Sequence, residues 1–215
     1  MINSLRARLA PLLRKLGLFD SGAYWAARYR RGGDSGAGSY GDFAIYKADF
    51  LNAFAAEHQV SSVIEFGCGD GAQAEMFAFA SYTGVDVTQE AVELCRSKLG
   101  DRKNWQFHNL ADAASYAGAY DLVLSLDVVY HLVEDPVFDL YMAQLFEHAG
   151  QHVLIYSSDH DQVSAAAHVN HRNHSAWVAK NQPNWSVVAV HENPHGGDGP
   201  DQSFAFFTHY RRSRR

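Results

Sequence analysis

The sequence predicts an α/β protein: a seven-stranded, mostly parallel sheet with helices on both faces, an antiparallel last strand and an N-terminal helical cap. Three observations predict it. From residue 60 onward, apolar runs of strand length alternate with stretches of helical periodicity, the pattern of a parallel sheet covered on both faces. A glycine-rich turn follows the first of those runs. The last two strand-like segments follow one another with no helix between them, so they pair as an antiparallel hairpin.

The elements follow in order along the chain. Residues 3–17 read as a helix, with Arg6, Arg8, Arg14 and Lys15 scattered through a leucine stripe, ending near Gly17. A second helix over about 21–31 carries Tyr24, Trp25 and Tyr29. Gly32 to Gly41 is too glycine-rich for regular structure. A helix over 42–58 places Phe43, Ala44, Tyr46, Phe50, Leu51 and Phe54 at helical spacing. Strand 60–66 leads to a short helix at 72–79, and strand 81–87 to a helix at 88–99. Strands at 105–109 and 120–126 precede a helix at 136–148, and strand 151–157 precedes a helix at 168–181. Strands 185–192 and 203–210 are joined through Asn193–Pro200. Residues 1–41 thus form a helical cap and glycine-rich lid on a main unit over 42–215, one structural domain overall.

The chain has 215 residues, enough for one full core and short for two. No run reaches the length of a membrane span, and the start lacks the apolar core and cleavage site of a signal peptide. Cys68 and Cys95 make no disulfide framework, so the cytoplasm is the expected location. Net charge is −6, yet arginines crowd both ends around an acidic body. The basic front reads as a cap helix with a solvated face. An acidic body argues against a large nucleic-acid footprint, which needs clustered Lys and Arg. The oligomeric state is left open.

Val63-Ile-Glu-Phe-Gly-Cys-Gly-Asp-Gly71 reads as a buried strand running into a turn, and Asp86 closes the next strand. Glycines let the backbone approach a ligand without side-chain clash, and an acid at that strand end can hold two ribose hydroxyls. Gly67-Cys68-Gly69-Asp70-Gly71-Ala72 also satisfies the dinucleotide fingerprint, so glycine spacing alone leaves two cofactor classes open. Glu65 leans away from a pyrophosphate and toward a ligand with a cationic amino-acid end.

Glu65, the three glycines and Asp86 together resemble motifs one and two of the class I S-adenosylmethionine-dependent methyltransferases. Tyr120-Asp-Leu-Val-Leu-Ser-Leu-Asp-Val-Val-Tyr-His-Leu132 resembles their fourth motif. The likeness spans about residues 42–210 and is to small, stand-alone bacterial members. It implies a Rossmann-like fold, S-adenosylmethionine as methyl donor, and cofactor roles for Glu65, Phe66, Gly67, Cys68, Gly69, Gly71, Asp86 and Val87. Asn109, Leu110 and Asp112 would bracket the adenine, although the acid usual after this strand is hard to place here. Leu126 and Asp127 would line the methionine end. Tyr130 and His131 would project toward the transferred methyl, with His131 suited by its ordinary pKa to act as a base.

The acceptor is less legible. His171 and Arg172 are candidates for docking an anionic or polyhydroxyl substrate. Tyr29 and Tyr40, flanking the glycine-rich lid, are candidates for lining its pocket. His168, His171 and His174 are poorly spaced for a metal on one helix face, and no metal is expected. Without Asn-Pro-Pro-Tyr after the fourth strand, base methylation is not favoured. The expected activity is O-methylation of a small metabolite or sugar. The alternatives are an NAD-dependent oxidoreductase and a non-catalytic S-adenosylmethionine-binding protein.

Overall fold

The computed structural model describes residues 19–164, 166–197 and 203–213; the helix expected over 3–17 lies outside them. Among these residues nine strands form: β1 (Val63–Phe66), β2 (Tyr82–Asp86), β3 (Trp105–Asn109), β4 (Tyr120–Leu126), β5 (Ala149–Ser157), β6 (Gln162–Val163), β7 (Asn170–His171), β8 (Trp185–His191) and β9 (Phe206–Arg212). Seven of them make one sheet in the order β3-β2-β1-β4-β5-β9-β8. β9 pairs antiparallel with both β5 and β8, so the other six run parallel and the predicted terminal hairpin is present. The central strands are buried on both faces because helices cover each. Leu122, Val123 and Leu124 are wholly inaccessible, and each such side chain contributes about 1.5–3 kcal/mol relative to exposure.

Among the described residues, five helices surround the sheet: α1 (Ser21–Arg30), α2 (Gly41–Glu57), α3 (Gln89–Leu99), α4 (Asp135–Glu147) and α5 (His174–Asn181). Their starts are set locally. Asp20 accepts from the Ala23 N–H and Thr88 from the Ala91 N–H, satisfying donors a helix start leaves open. α2 buries Ala44, Lys47, Ala48, Leu51 and Phe54 on one face, a helical stripe broken by a single cation.

Two expected helices are corrected. Over 72–79 only a single tight turn forms, Ala74–Met76. The Arg102 guanidinium takes the carbonyls of Glu75 and Phe77, and the Asn52 side chain serves Met76 and Ala78. Side chains from elsewhere thus meet backbone groups that a helix would have paired. The helix expected from 168 begins only at His174, where the Asn173 side chain caps it through the Ala176 N–H. The preceding residues are held instead by pairing of β7 with β6.

Candidate functional site

In an open α/β sheet, ligands sit beyond the carboxyl ends of the strands where strand order reverses, here between β1 and β4. A cavity of about 460 Å³ opens at that point. The turn after β1 forms one wall, with Gly67 and Gly69 at φ +84° and +58°. A Cβ on Gly67 would overlap Val128 Cγ2, and one on Gly69 would overlap the Ser35 hydroxyl, so the close approach requires glycine. Asp86, at the end of β2, accepts from the Gly69 N–H at 3.0 Å and from the Thr88 N–H and Oγ–H at 2.9 and 3.0 Å. Those bonds aim its carboxyl at the turn, while burial raises its pKa above the ordinary value.

One end of the cavity is charged. Glu65 is buried and accepts from the Tyr82 hydroxyl; burial pushes its carboxyl up to about 7. Lys47, 1% exposed, reaches from α2 to Asp127 at 2.5 Å and lies 5.1 Å over the Tyr156 ring. Asp127 itself stands at φ +58°, where residues other than glycine are uncommon. Its other oxygen accepts from the Tyr130 hydroxyl at 2.7 Å. Gln73 donates to the Ala44 carbonyl at 3.0 Å, leaving its own buried Oε1 without a partner.

His131 lines the same cavity, edge-on to Trp25 and stacked near His168. Its Nδ1 lies 2.7 Å from the His168 carbonyl. A carbonyl only accepts, so Nδ1 carries the proton and Nε2 keeps its lone pair. Burial pushes the imidazole pKa down to about 4.

The glycine-rich segment closes over the turn. Ser35 and Asp70 exchange two bonds, Ser35 N–H to Asp70 Oδ2 at 3.2 Å and Asp70 N–H to Ser35 Oγ at 2.9 Å. Tyr40 donates to the same carboxylate at 2.5 Å, and the Tyr29 hydroxyl lies 3.1 Å from Ser35 Oγ. Burial acts to raise the Asp70 carboxyl, but bonds from Tyr40, Ala72 and Ser35 outweigh it and hold the pKa below the ordinary value.

Tyr29, Glu65, Phe66, Gly67, Cys68, Gly69, Asp86, Val87, Leu110, Leu126, Asp127 and His131 all line this cavity. Seven expected residues are absent from its wall, among them Asp112, which is exposed. Gly71, at φ +78°, packs under the turn against Cys95 and Leu99. The Asn109 amide is taken up by the Val87 carbonyl and the Ala111 N–H. Tyr130 donates to Asp127 and packs its ring 4.5 Å from that of His131, outside the cavity wall. Tyr40 is a latch on Asp70. His171 bonds the Ser158 hydroxyl at 2.8 Å. Arg172, expected to dock substrate, spends its guanidinium on the Leu132 and Val133 carbonyls and on Asp135.

Lys47, Gln73 and Glu134 line the cavity but escaped the sequence reading. For Lys47 a signal existed: it is the lone cation in the apolar stripe of its helix. Among the described residues, no group of three or more His, Cys, Asp or Glu side chains is arranged to hold a metal, and no helix is long and apolar enough to cross a membrane.

The family described as "Methyltransferase domain" matches residues 41–191. The chain belongs to that family. None of the curated proteins matches. Among solved structures, N-methyltransferase NodS from Bradyrhizobium japonicum WM9, in complex with S-adenosyl-L-homocysteine, superposes with a TM-score of 0.66 at 14% identity, covering 91% of this chain and 100% of that one. Magnesium protoporphyrin IX methyltransferase from Synechocystis PCC 6803, with bound S-adenosylmethionine, gives 0.62 at 18%, covering 91% and 98%. The methyltransferase domain of bacterial CtHen1 gives 0.62 at 17%, covering 78% and 97%. At these identities the likeness is one of fold: the Rossmann-like methyltransferase sheet with its antiparallel strand.

Proposed function

We propose that this methyltransferase uses S-adenosylmethionine to methylate a hydroxyl of a small-molecule acceptor. The observation that carries the reading is the continuity of one cavity from the Glu65–Lys47–Asp127 pole, past Asp86, to the unprotonated nitrogen of His131. The donor set fits the cofactor. The orphaned Gln73 Oε1 and the Glu65 carboxyl suit an ammonium, Lys47 suits a carboxylate, Asp86 suits a ribose, and the glycine turn leaves room at the strand end. Bound there, the cofactor supplies an electrophilic methyl on a sulfonium.

The protein's contribution is orientation and proton removal. Holding an acceptor oxygen in line replaces a bimolecular encounter, and such alignment can supply several kcal/mol. His131 Nε2 takes the proton as the hydroxyl attacks; its pKa of about 4 keeps it neutral at physiological pH but makes it a weaker base than the ordinary imidazole the sequence suggested. The lid and α1 enclose the cavity, which favours a small acceptor over a macromolecule. S-adenosylhomocysteine and NAD titrated separately by calorimetry test the cofactor: binding of NAD alone overturns the reading. For the acceptor, a library of hydroxylated metabolites and sugars is incubated with labelled cofactor. Label recovered only on amines or thiols excludes O-methylation.

A further inference from the structure

Glu134 lines the cavity as well. It precedes α4, and its Oε1 accepts from the Ser21 N–H at 2.8 Å, across 113 residues of chain. Its other carboxyl oxygen, Oε2, is buried and has no hydrogen-bond partner. Buried polar atoms without partners are rare, and this one lines a cavity.

Its surroundings indicate what the oxygen waits for. Gly22, next to Ser21, lies against Val87 Cγ2, so the Glu134–Ser21 bond sits on the Val87 side, just past Asp86. Val87, Leu110, Val137 and Leu140 line this region; Val87 and Leu140 are 51% and 63% exposed, giving apolar walls suited to a flat base. Of the three residues expected at the end of β3, only Leu110 lines the cavity: the Asn109 amide is engaged with Val87 and Ala111, and Asp112 is exposed outside the wall. The hydrogen-bond acceptor in this slot therefore comes from the start of α4.

We propose that Glu134 reads the purine: its Oε2 accepts from the exocyclic amine of the cofactor's adenine, in place of an acid at the end of β3. The proposal rests on the cofactor reading above. A site built to receive an N–H rejects an analogue that presents a carbonyl in its place. Wild-type protein should bind S-adenosylhomocysteine on the order of 10- to 100-fold more tightly than S-inosylhomocysteine, the range for one hydrogen bond to a charged group.

Isothermal titration of wild type, Glu134→Ala and Glu134→Gln with both ligands tests it, with thermal melts to verify folding. Glu134→Ala should weaken the adenosyl ligand by about that factor and leave the inosyl ligand nearly unchanged. Glu134→Gln, whose amide can donate, should shift preference toward the inosyl ligand. Equal weakening of both ligands would make Glu134 only a tether for Ser21 and overturn the proposal. Wild-type protein that binds both equally also overturns it while leaving the cofactor reading intact. Binding of neither by wild type defeats the cofactor reading, and this one with it.

Discussion

At the scale of single residues, the charged pole of the cavity depends on a buried cation meeting a buried anion. Lys47 and Asp127 have side chains 1% and 15% exposed, so removing one partner leaves the other uncompensated. Lys47→Met keeps the volume and should destabilise the protein by about 3–5 kcal/mol, the cost of breaking a buried pair. Adding Asp127→Asn should recover part of that loss, and urea unfolding of the two single variants and the double reads the coupling. Glu65 makes a prediction about pH. Its carboxyl, raised by burial to about 7, must ionise to receive a cationic amino group. Affinity for S-adenosylhomocysteine should therefore rise from pH 6 to 8, with proton release on binding. Glu65→Gln should flatten that dependence, as calorimetry in buffers of different ionisation enthalpy will register. Residues of the cavity wall were legible only where a local pattern carried them. The glycine turn and Asp86 announced themselves by spacing, whereas Glu134 looks like any acid before a helix.

At the scale of elements, the glycine-rich segment is a loop tied to the turn by Asp70 and to α1 by the Arg28–Asp34 pair and the Tyr29–Ser35 contact. Asp70 gathers Ser35 and Tyr40 from the glycine-rich segment, and hydrogen bonds contribute about 0.5–1.5 kcal/mol each. Asp70→Ala should leave the sheet intact, weaken cofactor binding about tenfold, and speed amide hydrogen exchange over residues 33–40. Unchanged exchange there would mean the ties to α1 suffice to hold the loop. Strands were the most readable elements because burial on both faces writes continuous apolar runs. Residues 72–79 misled because their apolar spacing suits a helix, whereas 168–173, with Val169 their one apolar residue, read only as the start of the helix that follows. Arg102, Asn52 and the β6–β7 pairing give their backbone other partners.

At the scale of the whole molecule, buried histidines set the acid limit. Burial holds His131 and His152 down at about 4, and burial with neighbouring imidazoles holds His209 at about 3. Unfolded, each takes a proton near 6.5, so between that value and about 4 the unfolded chain binds more protons. Their contribution to stability is complete above about pH 6.5 and is lost as pH falls toward 4. Glu65 and Asp86, both raised by burial, act oppositely above their ordinary values, but two carboxyls are outnumbered by the three histidines. Urea midpoints from pH 8 to 4 should fall steadily below 6.5, and His209→Gln should shallow that fall.

The sequence by itself determined the alternating strands and helices, the glycine turn with its acidic partner, and the closing hairpin. All of these are written in local periodicity, turn chemistry and connection length, which neighbouring residues specify among themselves. Only the tertiary structure decided which polar groups converge: Lys47 on Asp127 across 80 residues, Glu134 on Ser21 across 113, Arg172 on backbone carbonyls. A side chain's partner depends on where the folded sheet brings distant elements together, and no local pattern encodes that distance.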